Sequence, residues 1–338
     1  MWWRQLRIYS NWRAWPMPLM YLPTTIYVLF LGLRHGNLFF LSLANPHTIL
    51  GGFVLDSKFE QHKRIPQAWQ LHTLKVLPAT ALPSELLAEK LPFPCYVKPD
   101  IGEGGNGVFE IQDLQELSDY HHNAKVPYLI QEKAQQAQEY SILCYRSSAE
   151  ITIQSITKRD ALRVTGDGNK TIEQHIQQLP FSTNKRRRIA RKCAVDLHFI
   201  PAQHECVQIN QLGNYDFGAT YTECPKMAAK ELYEALSAIF CTLEKYNIAR
   251  LDVKASTWQA LQQGKFKVLE VNGLNGEPIH IYDPKYSFLG AQKEIFKHWK
   301  QVYLQSKDAA LSHAHRTSLR EAITLFKQHI TLTKHAKN

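Results

Sequence analysis

Apolar and polar positions along this chain fall into a few distinct patterns. Near the start, residues 14–33, AWPMPLMYLPTTIYVLFLGL, run for 20 positions without a charge, nominally long enough to cross a bilayer as a helix. Pro16, Pro18 and Pro23 interrupt the run and argue against one regular helix. From GGFVLDSKFEQHKRIP onward the chain reads as mixed α/β. Short apolar runs at residues 128–131, 151–156 and 266–271 alternate there with helical stretches. The clearest helix is residues 228–246, AAKELYEALSAIFCTLEKY, where apolar side chains recur at helical spacing. Residues 185–192, KRRRIARK, follow Ser182 and Thr183, both good N-caps, so the basic run belongs on a helix, as a solvated face or as a phosphate or lipid patch. After about Tyr303 the pattern predicts a helix and a basic tail.

Aromatic and basic residues surround the first apolar run. Trp2, Trp3, Trp12 and Trp15 flank it, Arg4, Arg7 and Arg13 precede it and Arg34 follows. That arrangement suits a segment lying in a membrane interface, and equally one folded onto the main domain. No small-residue cleavage site follows, which speaks against a removable signal peptide.

With 338 residues, 44% hydrophobic and 21% charged, the chain has the balance of a globular protein, and wholesale disorder is excluded. A formal charge of +10 predicts attraction to something anionic without choosing among nucleotide phosphates, acidic lipids and nucleic acid. Six scattered cysteines, with no C-x-x-C pair, read as reduced thiols of a cytosolic protein. His198, His204 and Cys206 lie close together, but their spacing fits no familiar zinc pattern.

Residues 96–111, YVKPDIGEGGNGVFEI, contain Gly102, Gly104 and Gly107, a formal match to G-x-G-x-x-G. A dinucleotide loop needs a strand before it and a helix after it. Here both flanks are strand-like, so the glycines join two strands of a hairpin, and no G-K-[ST] follows to make a P-loop. What remains is either a structural hairpin or a glycine flap over phosphates, with Lys98 on the incoming strand supplying a point charge.

A second stretch, residues 249–284, ARLDVKASTWQALQQGKFKVLEVNGLNGEPIHIYDP, places Asp252 on one strand and Glu270 with Asn272 on the next, after a turn at Gly264. Residues two apart on a strand share a face, so Glu270 and Asn272 can enter one site. Oxygen ligands from Asp252, Glu270 and Asn272 would suit Mg²⁺ at nucleotide phosphates.

Together these stretches resemble the ATP-grasp superfamily over roughly residues 56–285, and the fold class is read as α/β, two α+β subdomains clasping ATP. The resemblance implies that Lys58, with Lys63 as the weaker candidate, and Lys98 hold phosphates under the flap Gly102, Glu103, Gly104, Gly105, Asn106 and Gly107. It implies that Glu132, Lys133 and Ala134 meet adenine, and that Glu139, seven residues after Glu132 as in D-alanyl-D-alanine ligases, binds ribose. It makes Asp252, Glu270 and Asn272 the Mg²⁺ or Mn²⁺ set, Arg250 the stabiliser of the reacting acyl phosphate, and Lys158 or Arg159 a third phosphate contact. VTGDGNKTIEQHI and GNYDFGATYTE are similar to segments of the cyanophycin synthetase branch and of a less characterised bacterial ATP-grasp group, which points to Asp167, Asn214 and Gly218 on the substrate side, and the distinctive LEVNGLNGEPIHIYDP adds Glu277 and His280. Gly276-Glu277-Pro278 stands where the D-alanine ligases have Pro-Gly, so the acceptor side differs from theirs.

The same resemblance implies an ADP-forming carboxylate–amine ligase that works through an acyl phosphate. A kinase on this scaffold and a non-catalytic peripheral membrane nucleotide-binding protein are the rival readings. Such ligases usually carry a domain of roughly a hundred residues before the first lysine; only 57 residues precede Lys58 here. The expected organisation is residues 1–50 as the hydrophobic, basic-aromatic N-terminal region, 51–128 and 129–303 as the two subdomains, and 304–338 as a helical tail. Expected partners are small-molecule or peptide carboxylates and amines, and not nucleic acid. An anionic membrane surface and a second copy in a homodimer stay open, with a cytoplasmic location that extends to the inner face of the membrane.

Overall fold

The structure, a computed structural model, describes residues 11–82, 91–147, 150–210, 213–244, 246–310 and 316–336. Trp2, Trp3, Arg4 and Arg7 therefore lie outside the described residues. The chain is mixed α/β with antiparallel sheets, and it divides into two compact units.

The larger unit comprises residues 29–156, 224–278 and 297–338. Its first sheet has four strands, β1 (Thr73–Val76), β2 (Cys95–Pro99), β3 (Phe109–Ile111) and β4 (Tyr128–Glu132), in the order β1-β4-β2-β3, every pair antiparallel. Val97, Ile130 and Leu117 sit in a small core behind it. A second sheet brings together β5 (Gln138–Ser147), β6 (Glu150–Asp160), β10 (Ile248–Ala255) and β11 (Phe266–Asn272), in the order β11-β10-β5-β6. Alternate residues Ile142 and Cys144 on β5, and Leu251 and Val253 on β10, point to one face and are fully buried. Leu232, Leu236, Ile239 and Phe240 of the helix Lys230–Thr242 cover that face, which accounts for the regular helical spacing of this stretch. Burying such side chains stabilises by about 1.5–3 kcal/mol each.

The other unit comprises residues 1–28, 157–223 and 279–296. Here the last residues of β6, Thr157 to Asp160, pair with β9 (Thr220–Glu223), and a small ribbon joins β7 (Arg163–Thr165) to β8 (Cys206–Gln208). The basic run lies on the helix Thr183–Arg191, whose Ser182 hydroxyl accepts from Lys185 N–H; Ile189 is buried while Arg187, Arg188 and Arg191 are exposed. The run is thus helical with these arginines exposed, as a solvated face or a phosphate or lipid patch would each require.

Three expectations change. The prolines split the first apolar run into the helices Met17–Met20 and Leu22–His35 without spoiling the second, because Pro23 falls in its first turn, where a missing N–H costs nothing. Among the described residues no helix is long and apolar enough to cross a membrane. The C-terminal helix starts at Phe288, well before Tyr303, and runs to Ala310; the tail beyond it is a second helix, Leu319–His335, with a Ser318/Glu321 capping box. None of the six cysteines is in a disulfide, and among the described residues no three His, Cys, Asp or Glu side chains are placed to hold a metal, so His198, His204 and Cys206 form no such group.

Candidate active site

In the larger unit the glycine-rich segment turns back on itself. β2 and β3 pair with Cys95 opposite Ile111 and Val97 opposite Phe109, so the glycines close a hairpin and open no helix. Gly104, Gly105 and Gly107 have φ of +63°, +71° and +70°, a left-handed backbone that side chains resist. Lys98 leaves β2 into the interior, where its ammonium donates to Gln131 Oε1 at 2.9 Å and to the Leu269 carbonyl at 3.0 Å. Burial pulls its pKa down to about 8, with Glu270 and Asp252 opposing the shift.

Lys58 is delivered to the same place by the short helix Lys58–His62. Asp100, immediately after β2, fixes that helix: its carboxylate accepts from the Ser57 hydroxyl at 2.8 Å, the Phe59 N–H at 2.9 Å and Lys75 Nζ at 2.7 Å, while its carbonyl accepts from Lys58 N–H at 3.1 Å. Lys58 Nζ then donates to the Gly102 carbonyl at 2.6 Å and lies 3.4 Å from Glu270 Oε1. Lys63 caps the end of the helix and is exposed.

β10 and β11 pair with Asp252 opposite Glu270 and Arg250 opposite Asn272, so the acidic and amide side chains meet at one end of the ladder. Arg250 grips Asp252 with two nitrogens, Nε to Oδ1 at 3.0 Å and Nη2 to Oδ2 at 3.1 Å, and its third donates to the Glu277 carbonyl at 3.3 Å. Ser141 on β5 donates to Asp252 Oδ1 at 2.6 Å, and Asn272 Nδ2 to Oδ2 at 3.3 Å, which leaves Asn272 Oδ1 as an acceptor. Gly276 is required by close approach, since a Cβ there would lie 2.9 Å from the Cβ atoms of both Arg250 and Asn272.

A pocket in this unit is lined by Lys58, Glu103, Glu270, Asn272, Asn275 and His329, among others. Asn275 Oδ1 is buried with no hydrogen-bond partner in the structure, an arrangement that ordinarily costs about 1–3 kcal/mol. Glu270, Asn272 and Asn275 line this pocket and offer oxygens of the kind a divalent cation such as Mg²⁺ or Mn²⁺ takes, while both oxygens of Asp252, outside its lining, are held by Arg250, Ser141 and Asn272.

At the β4–β5 junction, Glu132 ends β4, Lys133 Nζ contacts Glu110 Oε1 at 2.6 Å, Ala134 is buried and Glu139 lies opposite Lys254. The remaining residues singled out in the sequence lie in the other unit. There Lys158 pairs with Asp160 at 3.0 Å, and Arg159 donates to the Gly213 carbonyl. Asp167 closes a turn by accepting from the N–H groups of Asn169 and Lys170 and from Lys170 Nζ, donors that hold its carboxyl well below the usual range. Asn214 caps a short helical turn through Asp216 N–H, Gly218 has φ of +87°, and His280 is fully buried 3.7 Å from Glu294.

Sequence reasoning missed Asp100, Asn275 and His329. Asp100 follows the VKP strand directly, and Asn275 lies three residues past Asn272, so proximity to a motif was the available signal. His329 had none. It enters from the helix Leu319–His335 and touches the flap.

No family model matches the chain, and no curated protein matches it. Among solved structures it is similar to a bifunctional glutathione synthetase from Pasteurella multocida, at 12% identity over 74% of this chain and 38% of that one, TM-score 0.38. A D-alanine–D-alanine ligase from Bacillus anthracis matches at 14% identity over 74% of this chain and 68% of that one, TM-score 0.42. An L-amino acid ligase from Bacillus licheniformis matches at 15% identity over 72% of this chain and 48% of that one, TM-score 0.37. The chain thus spans less than two thirds of the first and third of these proteins.

Proposed function

We propose that the chain is an ATP-grasp enzyme, an ADP-forming carboxylate–amine ligase whose nucleotide phosphates lie under the flap of residues 100–108. The observation that carries this reading is the meeting, within one unit, of two lysines from separate elements with a carboxylate from β11: Lys58 lies against both Gly102 and Glu270, and Lys98 bonds the carbonyl of Leu269 next to Glu270. A site holding cations and acids together, with a glycine loop above, suits a triphosphate with its metal.

In this reading Lys58 and Lys98 grip the phosphates, and the left-handed glycines let the flap backbone approach them closely. Asp252, Glu270 and Asn272 would hold a divalent cation, which would supply neutralisation of charge on a transferring phosphoryl group. Asp100 positions Lys58 by fixing its helix. A substrate carboxylate attacks the γ-phosphate to give an acyl phosphate and ADP. Arg250, aligned by Asp252, stabilises negative charge at the acyl centre while an amine displaces phosphate.

Hydroxylamine tests the chemistry whichever amine the protein uses. Amino acids and short peptides offered as carboxylates with Mg-ATP should release ADP and yield a hydroxamate, because an acyl phosphate reacts with this nucleophile and a phosphate ester does not. ADP release with a stable phosphorylated product and no hydroxamate would make the protein a kinase.

A further inference from the structure

The helix Leu22–His35 has two faces. One is packed: Thr24 donates to Gln292 at 3.1 Å, Tyr27 packs against Phe296 with the rings tilted and their centroids 4.6 Å apart, and His35 meets Tyr303 edge-on at 5.9 Å. These contacts fall in step along the helix Phe288–Ala310. Opposite them, Leu22, Ile26, Leu29, Phe30 and Leu33 follow one another at helical spacing and stay 52%, 62%, 51%, 55% and 73% exposed. Exposed aliphatic side chains scattered singly need no explanation, whereas a continuous ridge of them does.

Among the described residues of this helix and the helix Phe288–Ala310, the exposed charged side chains have one sign. No acidic residue precedes Asp56 anywhere in the sequence, and Arg34 is exposed at the end of the ridge. On the partner helix Lys293, Lys297, Lys300 and Lys307 are exposed, at spacings that put them on one side, with Leu289 and Leu304 among them at 77% and 42%. Glu294 of that helix is buried beside His280.

We infer that this ridge docks in the plane of an anionic lipid bilayer. At 1.5 Å per residue the helix is about 21 Å long, short of the hydrocarbon thickness of about 30 Å, so it lies along the interface. Its aliphatic face enters the acyl boundary and the flanking lysines meet lipid phosphates. The inference is independent of the proposed ligase chemistry.

Flotation of the full chain with vesicles tests it. The protein should rise with an equimolar mixture of phosphatidylcholine and phosphatidylglycerol, should stay behind with phosphatidylcholine alone, and should release as salt increases. Ile26→Ser with Leu33→Ser should weaken binding to the mixed vesicles by roughly a hundredfold. Lys293→Gln with Lys300→Gln, which leaves the ridge intact, should weaken it about fivefold for each lysine. Should the ridge variant fail to fold, the lysine variant decides alone, and unchanged binding in it overturns the inference. Absence of flotation with the mixed vesicles at low salt also overturns it. So does a dimer in sedimentation that the ridge variant converts to a monomer while vesicles are ignored, since a second copy would then cover the face.

Discussion

His329, nine residues from the end of the chain, places Nε2 2.8 Å from Oε1 of Glu103 in the glycine flap, while its Nδ1 accepts from the Leu55 N–H at 3.2 Å. An accepting Nδ1 carries no proton, so the neutral ring has its hydrogen on Nε2 and donates it to the carboxylate. The last helix therefore fastens the flap that is proposed to cover the phosphates.

His329→Ala should loosen that fastening. Two hydrogen bonds are lost, one of them to a charged group, for a stability loss of about 2–3 kcal/mol in a chemical melt. Because the ring contacts the flap and not the acids of β10 and β11, KM for ATP should rise several-fold while kcat changes less. Equal losses in kcat and kcat/KM would place His329 in the chemical step instead.

Lys98 gives a pH signature. Its folded pKa of about 8 lies below the ordinary lysine value of 10.5, so between these two values the unfolded chain binds more protons than the folded one. This group's contribution to stability therefore rises with pH across that window. Nucleotide affinity should move the opposite way, falling above about pH 8 as the ammonium that grips phosphate is lost. Binding of ATP near pH 8.5 should take up a fraction of a proton, measurable as a heat that varies with buffer ionisation enthalpy. Affinity flat from pH 7 to about 9.5 would remove Lys98 from the phosphate site.

Asn275→Ala should separate stability from binding. The buried Oδ1 has no partner, so deleting it should leave the protein unchanged or slightly more stable. If that oxygen serves the cation or its water, the same variant should shrink the Mg²⁺-dependent part of the thermal shift with ATP. At a hundred times its dissociation constant, Mg-ATP should stabilise the native chain by about 2.7 kcal/mol. A shift by NAD and none by ATP would return the glycines to a dinucleotide role.

How far the sequence led depended on whether the cause was local. The hairpin was legible because the residues after Gly107 alternate as a strand, which rules out a helix there whatever the tertiary contacts. The ladder of β10 and β11 was legible because Gly264, at φ +70°, ends the short helix Trp258–Gln262 and leads the chain into β11. The long helices at the C-terminus were mislaid because Phe288 to Tyr303 mixes lysines and aromatics, and its inner face is defined by packing on elements remote in sequence, the helix Leu22–His35 among them. His329 was invisible for the same reason. Its 274-residue separation from Leu55 leaves no trace in any short window.

Arg250→Ala offers the sharpest division of roles, because the guanidinium is proposed to serve the acyl centre and occupies both oxygens of Asp252. Its removal should lower turnover by about a hundredfold, on the order of 3 kcal/mol of transition-state stabilisation. Cation binding should change in the other direction. Asp252 would keep the Ser141 hydroxyl and the Asn272 amide as donors, and a carboxylate relieved of its guanidinium attracts a divalent ion more strongly. Titration of Mn²⁺ followed by its paramagnetic effect on water should therefore show equal or tighter binding in the variant, alongside slower hydroxamate formation. Weaker Mn²⁺ binding together with lost activity would mean that Arg250 mainly holds Asp252 in place, and the charge at the acyl centre would need another partner.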